Sequence, residues 1–112
     1  MLFVNYPKCS TCKKARKFLE EKGVTFEDRD IKEQNPTVEE LKEWIAKSGL
    51  LVKKFFNTSG MLYRQMELKD KLPNMSEQEM IELLATDGML VKRPILVSED
   101  KVLVGFRQAE WE

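Results

Sequence analysis

The apolar positions of this 112-residue chain change their spacing along its length, and the changes mark its elements. Leu2 to Tyr6 ("LFVNY") is a short apolar run that stops at Pro7, the pattern of a buried strand. From about Thr11 to Lys22 the spacing is helical. Ala15, Phe18 and Leu19 share an inner face, Ser10 and Thr11 are suitable N-caps, and Gly23 fits the stop. In "VTFEDRDI", Val24 and Phe26 alternate with polar neighbours and predict a second strand. A strand, a helix and a strand joined tightly predict a parallel β-α-β unit.

The middle of the chain reads as helical. Thr37 and Glu40 form a capping box after Pro36, Leu41, Trp44 and Ile45 follow at helical spacing, and Gly49 marks the end. "LVKKFFNTSG" predicts a short helix with Phe55 and Phe56 turned inward. The polar turn Asn57 to Gly60 would stop it or form a polar rim to a cleft. Ser76 and Glu79 repeat the capping box, with Ile81 and Leu84 inward and Gly88 as the stop. "MELKDKLP" fits either a helical turn or a loop. Near the end the period returns to two. Ile95 to Val97 and Val102 to Val104, around the turn Ser98 to Lys101, predict an antiparallel hairpin, and "RQAEWE" can begin a last helix. There is no repeat or linker, so residues 1–112 read as a single domain with a helical insertion at about 36–88.

Composition narrows the chemistry. Lys plus Arg and Asp plus Glu each number 19, which supplies no overall field for nucleic acid or an acidic membrane. No segment is long and apolar enough to span a bilayer, and the first residues lack a signal peptide's basic start, so a cytoplasmic location is expected. The chain has no histidine, which removes Cys-His activation and imidazole metal ligation together. Its two cysteines cannot complete a four-ligand zinc site, so no metal and no bound cofactor are expected. "CKKARK" reads as a solvated face, and the spaced methionines read as core filling.

Those two cysteines, Cys9 and Cys12, stand three apart between a predicted strand and a predicted helix. One helical turn separates them, so their side chains share a side. Backbone N–H groups at the helix start and the cations Lys8, Lys13 and Lys14 favour a thiolate at Cys9. Buried structural thiols or a metal shared between chains are the other uses of such a pair. The position at a strand end favours redox chemistry, with Cys9 the nucleophile and Cys12 the resolving thiol. The order β-α-β, helical block, β-hairpin is then an α/β thioredoxin-like (glutaredoxin-like) arrangement with a mixed sheet. Such folds place a cis-proline before a strand, facing the active thiol. Pro94 stands there, with Arg93 before it as a surface charge or as a guanidinium aimed at Cys9.

Four segments, "YPKCSTCKKARKFLEEKG", "NPTVEELKEWI", "KKFFNTSG" and "DGMLVKRPILV", resemble the arsenate reductase (ArsC-type) and Spx family over nearly the whole chain. The resemblance implies a thioredoxin-like sheet with an inserted helical subdomain and Cys9 as the active cysteine. It implies oxyanion contacts from Arg93 beside Pro94. The family's other two arginine positions fall on Asn57 and at or near Gly105, with Arg107 two residues later. An arginine four after the active cysteine is here Lys13. Lys13, Arg93, Pro94 and Arg107 are thus the substrate-binding candidates. The regulator branch binds the C-terminal domain of the RNA polymerase α-subunit through a glycine and an arginine that align with Leu51 and Ser59. The expected activity is thiol–disulfide oxidoreduction, with glutathione, thioredoxin or glutaredoxin as electron donor. A redox-sensing transcription regulator and an arsenate reductase are the alternatives.

Overall fold

In the computed structural model, residues 1–111 are described; Glu112, the last residue of "RQAEWE", lies outside the described residues. The strand β1, Leu2–Asn5, is bonded on both sides. On one side it pairs in parallel with β2, Glu27–Asp30, and on the other antiparallel with β3, Ile95–Val97. The strand β4, Val102–Val104, closes the hairpin with β3, giving a mixed sheet in the order β2-β1-β3-β4. The second strand is shorter than its alternation predicts. Val24 and Phe26 fall in its approach, where they pack against the core below rather than pairing.

Because successive strand side chains face opposite ways, β1 feeds two cores. Phe3 points into a cluster with Ala15, Leu19, Leu96 and Trp111. Helix α1, Ser10–Glu21, covers that face with its inner residues, as the spacing predicts. Val4, on the other face, joins Ile31, Leu41, Trp44, Phe55, Phe56, Leu84 and Ile95. The segment between β2 and β3 supplies that second layer through α2 (Val38–Ser48), α3 (Met61–Gln65), α4 (Leu68–Lys71) and α5 (Glu77–Leu84). Both predicted capping boxes form, Thr37 with Glu40 and Ser76 with Glu79. A final turn, α6 (Gln108–Trp111), buries Trp111 edge-on against Phe3 and Phe106. No helix among the described residues is long and apolar enough to cross a membrane.

Several local readings change. The residue that caps α1 is Cys9 itself, in extended backbone, and neither Ser10 nor Thr11 takes that place. The short helix predicted in "LVKKFF" is a 3₁₀ turn, Val52–Phe55, and Phe55 and Phe56 are buried as predicted. α3 begins immediately after Gly60. "MELKDKLP" contains α4, with the residue before it, Glu67, at φ 55°. Gly88 does not end α5, whose C-cap is Ala85. Its role is steric: a Cβ there would overlap the carbonyl oxygen of Ile31, just past the end of β2. The lack of a side chain at Gly88 lets the link into β3 press against β2. Gly88→Ala is expected to cost about 2 kcal/mol or more, since neither backbone segment can retreat without disturbing the core. A lowered urea midpoint at unchanged m-value would show it.

Candidate active site

Three stretches of chain meet at one end of the sheet. β1 leads into the turn Tyr6–Cys9, closed by the Cys9 N–H donating to the Tyr6 carbonyl at 3.0 Å. α1 starts at once, so the cysteine that caps it presents its side chain beside the first free N–H groups of the helix. The link into β3 brings the Arg93–Pro94 peptide, which is cis, to the same end. The exit from β4 brings Gly105, Phe106 and Arg107 there as well. Gly105 is at φ 74°, and its N–H donates to the Pro94 carbonyl at 2.8 Å.

The two thiols are unlike. Both are free cysteines; Cys9 is half-buried and Cys12 only 2% exposed. Burial opposes ionisation of Cys9, but the N–H of Cys12, the Cys12 thiol, the N–H of Thr11 and the Arg93 charge outweigh it. The Cys9 pKa therefore lies below the ordinary thiol value. Burial pushes the Cys12 thiol up to about 12. The Tyr6 N–H, which donates to the Cys12 sulfur at 3.5 Å, works against that rise, while the hydrogen bond and charge of Cys9 add to it. One thiol is prepared to be a thiolate and its neighbour to keep its proton.

Cys9 opens onto a cleft of about 390 Å³. Arg93 and Arg107 line it, together with Thr11, Asn57, Ser59, Gly60 and Lys92. The Arg93 guanidinium lies over the Tyr6 ring, 5.1 Å from its centroid. Asn57 and Ser59 form the polar rim expected of that turn. They arrive because Phe56 bridges Val91 and the Asn57 N–H donates to the Leu90 carbonyl at 2.8 Å. Pro94 is buried and does not line the cleft; it contributes the carbonyl that holds Gly105. Lys13 also lies outside the lining, exposed on α1 one residue past Cys12. Lys92 was not among the sequence candidates, although its place next to Arg93 was an available signal.

A support behind the site was also missed. Asn5 is 2% exposed and donates to the Phe3 carbonyl at 3.1 Å and to Asp28 Oδ1 at 2.7 Å. Arg16 donates to Asn5 Oδ1 at 3.2 Å and pairs with Asp28 at 2.7 Å. This network fastens the middle of α1 to β1 and β2, one turn beyond Cys12. A polar residue inside the apolar run of β1 was the clue.

The sequence model of the ArsC family matches residues 4–112, and the chain belongs to that family. A solved structure from Bacteroides fragilis, described as related to the ArsC family, superposes with a TM-score of 0.97 at 59% identity, covering 98% of this chain and 92% of that one. The uncharacterized protein YusI of Bacillus subtilis (strain 168) is 55% identical over 112 residues, 100% of this chain and 95% of YusI. The global transcriptional regulator Spx of Enterococcus faecalis is 30% identical over 105 residues, 93% of this chain and 77% of the regulator. An arsenate reductase from Vibrio cholerae has a TM-score of 0.79 at 28% identity, covering 91% of this chain and 87% of that one. The fold is the thioredoxin-like α/β fold of these proteins.

The difference between the thiols has a direct readout. Iodoacetamide is expected to modify Cys9 with a pH midpoint below the ordinary thiol value of about 8.5 and to leave Cys12 unmodified at neutral pH. Arg93→Ala removes a charge that favours the thiolate, so it raises the Cys9 midpoint and slows modification at pH 7. Mass mapping of the alkylated protein across pH measures both.

Proposed function

We propose that the protein is a thiol–disulfide oxidoreductase in which the Cys9 thiolate attacks a disulfide and Cys12 resolves the mixed disulfide. The observation that carries this reading is the contrast between Cys9, which opens onto a cleft with a lowered pKa, and Cys12, buried one turn later and pushed up to about 12. A nucleophile has to be ionised and reachable. A resolving thiol has to keep its proton until the mixed disulfide forms, or it would repel the thiolate beside it. Arg93 steadies negative charge at Cys9, and the Pro94 carbonyl fixes the loop that carries Phe106 and Arg107. Glutathione, thioredoxin or glutaredoxin returns the Cys9–Cys12 disulfide to dithiol, in a cytoplasm that keeps thiols reduced.

A second reading is a redox-sensing regulator that contacts the C-terminal domain of the RNA polymerase α-subunit. It draws on the likeness to Spx and on exposed apolar side chains of the helical segment. Leu51 is 62% and Met61 69% exposed. Pull-down of that polymerase domain by the reduced and oxidised protein tests it. Binding that follows the disulfide state without turnover would favour the regulator.

For the oxidoreductase, Cys9→Ser is expected to abolish disulfide reduction, a loss of at least about a hundredfold. Cys12→Ser is expected to stop turnover while trapping the substrate thiol on Cys9, visible as an added mass in the intact protein. Full activity in Cys9→Ser would exclude the mechanism. Arsenate with glutathione and glutaredoxin, run as a parallel arm, tests whether Arg93 and Arg107 sustain arsenate reduction.

A further inference from the structure

The cations around Cys9 are held in different ways. Arg93 is committed: its guanidinium stacks on Tyr6 and its NH1 lies 3.5 Å from the carbonyl oxygens of Met89 and Val91. Lys92 and Arg107 line the same cleft, yet neither takes part in an ion pair or ring contact among the described residues. Both also line an adjoining hollow of about 310 Å³ that contains Lys54 and Glu110. Across the two hollows, Lys54, Lys92, Arg93 and Arg107 face a single carboxylate, Glu110. The chain as a whole has no net charge, so this excess of positive charge is local. The Lys92 stem lies close to the Gly105 backbone, where a Cβ would stand 3.3 Å from Lys92 Cε.

We infer that the cleft selects disulfides whose thiol halves carry carboxylates, with Lys92 and Arg107 as the specificity-determining residues. The inference rests on the oxidoreductase reading of Cys9 and Cys12. Arg93 serves the thiolate itself, whereas Lys92 and Arg107 are free to meet charge on the substrate within the cleft that holds the reacting sulfur. In the step they assist, the Cys9 thiolate forms a bond to one sulfur of the substrate disulfide, and the substrate S–S bond breaks to release a first thiolate. Cys12 then gives up its proton, attacks the Cys9 sulfur and expels the second thiolate. The substrate gains two electrons, the protein loses them as the Cys9–Cys12 disulfide, and the proton passes to a departing thiolate. A cellular dithiol or two molecules of glutathione supply the electrons that reset the protein.

The test is oxidation of the fully reduced protein by three small disulfides of similar size: the dianion 3,3′-dithiodipropionate, neutral bis(2-hydroxyethyl) disulfide and the dication cystamine. Loss of protein thiols gives each rate, divided by the rate of the same disulfide with free dithiothreitol to remove intrinsic reactivity. At low ionic strength the normalised rates are expected to fall in the order dianion, neutral, dication, spanning about tenfold or more, and to converge as salt is added. Lys92→Gln and Arg107→Gln are each expected to narrow the dianion-to-dication ratio by about threefold, and Lys92→Glu with Arg107→Glu to invert it. Normalised rates independent of charge, or a ratio unmoved by these variants, would overturn the inference while leaving the oxidoreductase reading intact. Failure of all three disulfides to oxidise Cys9 would instead remove that reading, and this inference with it.

Discussion

The antiparallel register of β1 with β3, and of β3 with β4, is the constraint on which the candidate site depends. Val4 stands opposite Ile95, and Ile95 opposite Val104. The chain leaves β1 toward Cys9, enters β3 from Arg93 and leaves β4 toward Arg107, so all three connections lie at one end of the sheet. A slip of one residue would turn Ile95 from the helical-block core to the α1 face and carry Arg93 away from Cys9. Alternating apolar side chains on two buried faces make that slip costly. The sheet core is thereby what positions a thiol and a guanidinium that are 84 residues apart in sequence, from 9 to 93.

The helical segment between β2 and β3 adds to the site only because it is fastened at both ends. At its start Arg29 donates to both oxygens of Glu40, at 2.6 and 2.8 Å, and to the carbonyls of Gln34 and Asn35. Glu40 at the same time accepts the Thr37 N–H in the capping box. One carboxylate thus sets where α2 begins and ties it to β2, and the pairing with Arg29 holds its pKa below the usual carboxylate range. Later the bridge between Phe56 and Val91, with Lys92 donating to the Phe55 carbonyl at 2.7 Å, draws the 57–60 turn against the Arg93 loop. Asn57 and Ser59 line the cleft with Cys9 for that reason, which turns a polar turn read as a helix stop or a cleft rim into the rim.

What was legible in the sequence was what short-range physics decides. A Thr or Ser three residues before a Glu forms a capping box from contacts within one turn, and both boxes formed. Gly49 ends α2 in the left-handed region because glycine enters it without a Cβ clash. The hairpin and α1 followed from periods of two and 3.6. The placement of two cysteines at the opening of a helix carried its chemistry with it, since helix N–H groups favour a thiolate wherever they occur.

Short elements without a full period were legible only in part: a short helix was expected near Val52 and a helical turn or a loop around α4, while α3 was not expected. The 3₁₀ turn at Val52, α3 and α4 are each four or five residues long, and packing rather than pattern selects them. The site divides along the same line. The sequence alone determined that a paired thiol would open a helix in a chain without histidine, and so that any activation had to come from N–H groups and cations. The tertiary structure decided which cation: Arg93, remote in sequence, bears on the Cys9 thiolate, while Lys13, near in sequence, is exposed outside the cleft. Helix geometry reaches about one turn along the chain, whereas strand register acts across the whole sheet, and the cleft is made by strand register.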